Sequence, residues 1–177
     1  MAFFVIQVRT GKEQQYIRQA DKVLRAPAEQ LFWPRRALRI RRRGEWKNSV
    51  AAIFPGYLFL QAESISAALY GALRRIPGFL RYLKDNQHIE PLSPRDRQIL
   101  LHFLSYGEVV QRSRVFFDQD NRIRVISGPL KGMEGRVVKV DRRKGRARIR
   151  LELYEDSFLI DFGFDALENA EGPTIPR

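Results

Sequence analysis

Apolar and polar positions alternate at two different periods along this chain. Phe3 to Val8 is a short apolar run, which predicts a strand. Thr10 and Glu13 have the spacing of a capping box, in which each side chain satisfies a free backbone donor at a helix start. Tyr16, Ile17, Ala20, Val23 and Leu24 then recur at helical spacing, up to Ala26-Pro27. Leu31 to Arg43 reads as a strand or two with a basic face. Arg43-Gly44-Glu45 marks a hairpin tip, and the chain returns through Trp46 to Phe54. Pro55-Gly56 is a bend before the strand Tyr57-Leu58-Phe59-Leu60. Ile65, Leu69, Ala72, Leu73 and Ile76 form one side of a second helix, which Pro77-Gly78 ends. Phe79 to Leu83 suits another strand. Ser93-Pro94-Arg95-Asp96 starts a third helix, with a serine cap, proline at the first position and an acid in the first turn. The order is β-α-β-β-α-β-α, an α+β fold with helices on one side of a largely antiparallel sheet.

Tyr106 to Asn121 has no clear period. It reads as a linker carrying a small apolar patch, Val115-Phe116-Phe117. After Asn121 the pattern becomes short strands separated by glycine turns: Arg122–Ser127, Glu134–Val140, Arg146–Leu153, Phe158–Asp161 and Phe164–Leu167. That predicts a small all-β barrel with Ile123, Val125, Val137, Ile149, Leu151 and Leu153 inside. The expected organisation is 1–107 as an α+β domain, 108–121 as linker, 122–169 as barrel and 170–177 as a disordered tail.

Charge sharpens this division. The chain has 177 residues and a formal net charge of +12. Residues 111–150 hold 13 Lys+Arg against 4 Asp+Glu, as large an excess as the whole of residues 1–110. Such a balance points to a polyphosphate partner, and the preponderance of arginine suits planar recognition of phosphates and bases. There is no cysteine, so disulfides and thiolate chemistry are excluded and a reducing cytoplasm is expected. No apolar run approaches the roughly 18 residues of a membrane span, and the N-terminus lacks the basic start of a signal peptide. His88 and His102 show no ligand spacing, and Asp118 and Asp120 read as linker caps. Gly128 to Gly135 lacks the lysine–hydroxyl pair of a phosphate-binding loop and precedes a strand. Neither catalytic residues, a metal nor a cofactor is expected, and the chain reads as a binding protein, not an enzyme.

Two basic clusters are candidate nucleic-acid sites. Arg142-Arg143-Lys144-Gly145 joins two barrel strands, and alternation puts Arg146, Arg148 and Arg150 on the face opposite the barrel core. Six of the ten residues from Asp141 to Arg150 are basic, which favours phosphate binding over a merely solvated edge strand. The second cluster is Arg35, Arg36, Arg39, Arg41, Arg42 and Arg43, of which Arg35, Arg39, Arg41 and Arg43 share parity and form a stripe. A nucleic-acid contact and a solvated hairpin stand about even there. Tyr57 and Phe59 lie on one face of their strand, Leu58 and Leu60 on the other. Either one face is an exposed apolar patch for a partner, or the strand is buried on both faces.

The run Arg124-Val125-Ile126-Ser127-Gly128-Pro129-Leu130-Lys131-Gly132-Met133-Glu134-Gly135-Arg136-Val137 closely resembles the KOW motif. With Arg146–Glu168 it resembles the C-terminal KOW domain of NusG-family transcription factors, an SH3-like five-stranded barrel. Phe3-Phe4-Val5-Ile6-Gln7, Thr10-Gly11-Lys12-Glu13, Phe54-Pro55-Gly56-Tyr57-Leu58-Phe59-Leu60 and Arg75-Ile76-Pro77-Gly78-Phe79 resemble that family's N-terminal (NGN) domain. The resemblance spans about Phe3 to Glu168. It implies RNA polymerase, through the clamp helices of its largest subunit, as partner of Phe3, Phe4, Phe54, Pro55, Tyr57 and Phe59. It also places the stripe Arg35, Arg39, Arg41 and Arg43 beside upstream DNA, and Arg9 and Lys12 near the non-template strand. Housekeeping members carry Phe-Gly-Arg where this chain has Tyr154-Glu155-Asp156, which puts ribosome and Rho contacts in doubt. The Arg35–Gly44 tract and Val8-Arg9-Thr10-Gly11-Lys12-Glu13 resemble the specialised LoaP branch, antiterminators whose barrel recognises an RNA hairpin. That implies nascent RNA as a partner of Lys131, Arg142, Arg143, Lys144, Arg146 and Arg148 in a monomeric factor. A general elongation factor, a DNA-reading paralogue and a ribosome-associated KOW protein are the alternatives.

Overall fold

The computed structural model describes all residues except Arg25, Glu155 and 168–177. The disordered-tail expectation therefore lies outside the described residues. The chain forms two compact units, one of Met1–Pro34 with Phe54–Leu101, the other of Arg35–Ile53 with His102 onward.

In the first unit the strands are β1 (Ala2–Val8), β2 (Gln30–Phe32), β5 (Tyr57–Ala62) and β6 (Phe79–Tyr82), in spatial order β2-β5-β1-β6. Intervening strands β3 (Arg35–Arg42) and β4 (Glu45–Ala52) belong to the second unit. β1 and β5 are antiparallel, with Phe4 opposite Leu60 and Ile6 opposite Leu58. Those four side chains meet Tyr16 and Ala20 of α1 (Glu13–Ala20) and Leu69 and Leu73 of α2 (Ala67–Arg74) in one core. The Tyr16 hydroxyl donates to the Leu73 carbonyl at 2.8 Å, tying the two helices together. Burial pushes the Tyr16 phenol well above its ordinary range.

The expected capping box at Thr10 does not form. α1 starts at Glu13 with Lys12 as N-cap, and Lys12 makes no side-chain cap bond. The Glu13 carboxylate is buried and accepts instead from the Gly11 and Gly56 amides, at 2.7 and 2.9 Å. The acid therefore holds the β4–β5 bend against the helix start, a tertiary use that local spacing does not reveal. Ser66 and Ser93 do cap, accepting from the Leu69 and Asp96 amides at 3.1 Å each. The second of these opens α3 (Pro94–Leu104).

The second unit differs from the expected barrel in its strand list. Its five-stranded sheet runs β10-β11-β12-β8-β9. Here β8 is Ser113–Phe117, β9 Ile123–Ser127, β10 Val137–Asp141, β11 Arg146–Leu153 and β12 Asp156–Ala166. The segment read as linker thus supplies β8, and also β7 (Val109–Val110), which pairs with β3. Val115 is fully buried, and the hydroxyl of Ser113, also fully buried, accepts from the Leu130 amide at 3.0 Å. A five-residue strand that follows Arg112 and contains Arg114 shows too little alternation to be told from a loop. Phe158–Asp161 and Phe164–Leu167, expected as two strands, are one continuous β12 to Ala166. Glu134–Arg136 is a 3-10 turn before β10. Along β11, Ala147, Ile149, Leu151 and Leu153 are buried as alternation requires. The architecture is an α+β N-terminal part followed by a curled, SH3-like five-stranded sheet.

A candidate nucleic-acid interface

β3 and β4 pair in register from Arg35–Ala52 to Arg42–Glu45, closed by Arg43 and Gly44 with φ of 51° and 85°. This two-residue turn fixes which side chains share a face. Opposite residues project together, so Arg39 and Arg41 stand with Asn48 and Trp46. Arg36 and Leu38 point the other way.

Arg36 explains how the hairpin joins the barrel within this unit. Its Nε donates to the Asp161 carbonyl at 2.5 Å and its guanidinium also donates to the Ala52 carbonyl. The guanidinium carbon lies 5.8 Å from the Phe162 ring centre. Burial pushes the Arg36 pKa down to about 10, partly offset by Asp161, so it stays charged at neutral pH. Arg146 donates to the Arg39 carbonyl at 3.1 Å. Arg148 grips the Asp161 carboxylate with two bonds, at 2.7 and 3.2 Å. Arg146 stands 3.9 Å from the same carboxylate. Three arginines therefore share one acid. The Arg148 hydrogen bonds hold the Asp161 carboxyl below the usual carboxylate range, despite partial burial.

Close approach of β3 to β12 depends on Gly163. A Cβ there would stand 2.9 Å from Arg112 Cγ and 3.1 Å from the Ala37 carbonyl oxygen. The arginine can swing aside, but the strand backbone cannot. Gly163→Ala is expected to cost about 1–3 kcal/mol, read by urea denaturation as a lower midpoint with an unchanged slope.

The β10–β11 tip presents its cations outward. Gly145, with φ 60°, lets the loop turn over β12, and a Cβ there would lie 2.7 Å from the Phe164 carbonyl oxygen. Arg142 stacks 3.7 Å above the Phe117 ring centre and donates to Asn121 Oδ1 at 3.1 Å. The Lys144 amide is held by Asp141 at 2.9 Å. Arg142, Arg143 and Lys144 are all exposed.

Hairpin and tip together line an open cleft of about 220 Å³. Arg39 and Trp46 line it from the hairpin, and Arg142, Arg143 and Lys144 from the tip. Arg112 lies in the lining, bonded to the Phe164 carbonyl and paired with Asp165, each at 2.6 Å. Trp46 is 40% exposed, and Arg39 lies 5.8 Å from its ring centre. The two basic clusters read separately in the sequence thus contribute to one surface.

Other candidate positions are dispersed. Arg146 and Arg148 are half-buried and engaged with Asp161, so they organise the strand beneath the tip more than they offer free charge. Lys131 is exposed in the β9–β10 loop, outside the cleft lining, its Nζ 3.1 Å from the Ile126 carbonyl. Arg35 pairs with Glu108 at 3.2 Å. Arg41 and Arg43 are exposed near the hairpin tip. Arg9 and Lys12 are exposed in the first unit, beside the start of α1. Phe4 faces the helical core and is not accessible. Phe3, Phe54 and Phe59 are buried too, at 4%, 1% and 0% exposure, which answers the open question about β5: it is buried on both faces. Pro55 is exposed and Tyr57 half-buried. Trp46 and Arg112 were missed. The register set by Arg43-Gly44 already places Trp46 opposite Arg41, whereas Arg112 carries no sequence signal.

A family model described as "Transcription termination factor nusG" matches residues 1–101, more than half the chain. The chain belongs to the NusG family. A KOW motif model matches residues 119–152, which include β9, β10 and the basic tip. The NusG transcription termination/antitermination protein of Pasteurella multocida is 27% identical over 127 residues, 71% of this chain and 68% of that protein. That of Helicobacter pylori strain J99 is 19% identical over 174 residues, 95% and 98% of the two chains. In a solved structure titled "Domain interaction in Thermotoga maritima NusG", 93% of the chain matches 92% of this one, with TM-score 0.59 and 15% identity. That likeness concerns the fold alone. No helix among the described residues is long and apolar enough to cross a membrane.

Proposed function

We propose that this NusG-family chain is a specialised antitermination factor of the LoaP kind, acting in the cytoplasm. Its N-terminal part, 1–107, holds RNA polymerase at the clamp helices, and its KOW part, 122–169, holds a structured nascent RNA. The observation that carries the reading is the exposed Arg142-Arg143-Lys144 tip on a KOW-matching segment of a NusG-family chain. Three adjacent cations on a glycine-framed turn can neutralise successive phosphates, and the guanidinium planes can also stack on bases. Upstream or non-template DNA is assigned to the exposed cations Arg9, Lys12, Arg41 and Arg43. Polymerase contact is assigned to Pro55 and Tyr57, with Phe3, Phe54 and Phe59 shaping the apolar surface beneath them. Tethering RNA and polymerase on one monomeric chain raises their local concentration, so that the factor stays bound as terminators pass.

The test is terminator read-through with purified polymerase, with and without a candidate leader RNA hairpin. Read-through is expected to rise several-fold only when the hairpin is present in the transcript. Equal stimulation without it would make the chain a general elongation factor. Cosedimentation with ribosomes but not with polymerase would favour the ribosome-associated alternative.

A further inference from the structure

We infer that the cleft between the β3–β4 hairpin and the β10–β11 tip is a single-nucleotide subsite, with Trp46 as the stacking platform for an unpaired base. This rests on the proposed nucleic-acid role of the KOW part and adds a residue and a ligand feature to it. Trp46 stands 40% exposed in a strand whose neighbours Glu45, Lys47 and Asn48 are all exposed, so no core requirement explains an indole there. It lies in the lining of the open, basic cleft. The Arg39 guanidinium lies over the ring, 5.8 Å from its centre, on the same face of the hairpin, so an incoming base stacks on the ring's other side or displaces it. In the same lining, Arg143 makes no hydrogen bond or ion pair with any described residue, so its guanidinium is available to a phosphate. The acid lining the cleft, Asp165, is already paired with Arg112.

An exposed indole in a cleft lined by arginines and a lysine, with Arg143 unengaged, suits a nucleotide because the base has a π-face for the ring and its flanking phosphates meet the cations. A base inside a continuous duplex is stacked on both sides and cannot reach the indole. The subsite therefore selects an unpaired position, such as a loop or bulge of RNA or a displaced DNA strand.

The test measures binding of the full chain to three probes of equal phosphate count: single-stranded oligouridylate, single-stranded oligodeoxythymidylate and a blunt RNA duplex. Trp46→Ala is expected to lose about ten-fold in affinity for a single-stranded probe and less than about two-fold for the duplex, the scale of one base–aromatic stack. Trp46→Phe is expected to retain most of that affinity. The RNA and DNA arms tell which strand supplies the base. Unchanged single-strand affinity in Trp46→Ala, or an equal loss on the duplex, overturns the subsite. The proposed KOW role is tested separately by replacing Arg142, Arg143 and Lys144 together with alanine. That variant is expected to weaken all three probes, and if it weakens none, the role itself fails whatever Trp46 does. Circular dichroism of each variant, matching that of the unmodified chain, separates these outcomes from misfolding.

Discussion

Asp161→Ala is expected to destabilise the second unit by about 2–3 kcal/mol, between the values for exposed pairs and for fully buried ones. The Asp161 carboxylate is the shared counter-charge of Arg36, Arg146 and Arg148. Removing it leaves a half-buried Arg36 and two neighbouring guanidiniums without their counter-charge. The Arg36 bond to the Asp161 backbone carbonyl survives the substitution, so the hairpin is weakened but not released. For a chain of this size the loss corresponds to roughly 4–12 °C in the melting transition that contains this unit. The pH dependence has a definite sign. The folded-state pKa of Asp161 is depressed, chiefly by the Arg148 hydrogen bonds. Its contribution is therefore fully present above the unfolded carboxyl value near about 4, and lost as pH falls through the lower folded value. The stability gap between the unmodified chain and Asp161→Asn, measured by urea denaturation, is expected to be largest near neutrality and to close at acid pH. A gap independent of pH would mean that Asp161 acts through packing alone.

Much of the fold was legible because its elements carry strong local signals. β1, β5 and β11 are apolar or strictly alternating, and Ser93 is a local cap. β8 was not legible. Its burial depends on pairing with the distant β12 as well as with the adjacent β9, and Arg112 before it and Arg114 within it disguise the pattern. Glu13 shows the same limit. Its spacing from Thr10 fits a local capping box, but the carboxylate serves the distant Gly56 amide. For the candidate site, charge counting found both arginine clusters. It could not separate exposed Arg142 and Arg143 from Arg146 and Arg148, which Asp161 already occupies. Alternation places those two outside the barrel core, but only the packing of β3 beside β12 half-buries them there. Phe4 and Phe59 make the converse point. An aromatic on the chain's best strand reads equally as a partner site or as core, and burial decides between them.

The largest functional effect is expected from Arg142→Ala, Arg143→Ala and Lys144→Ala in combination. Each removes one exposed cation, at roughly 1 kcal/mol per phosphate contact, so affinity for a stem-loop RNA is expected to fall about 100-fold at physiological salt. Arg142 also loses its stack on Phe117, but that contact is on the surface and its removal is not expected to unfold the barrel. The direct measurement is the salt dependence of binding of the same stem-loop RNA to the unmodified chain and to the triple variant. Each cation on a phosphate releases a counterion, so the slope of log affinity against log salt is expected to shrink by about 2–3 in the variant. An unchanged slope and affinity would contradict the assignment of the β10–β11 tip to nucleic acid.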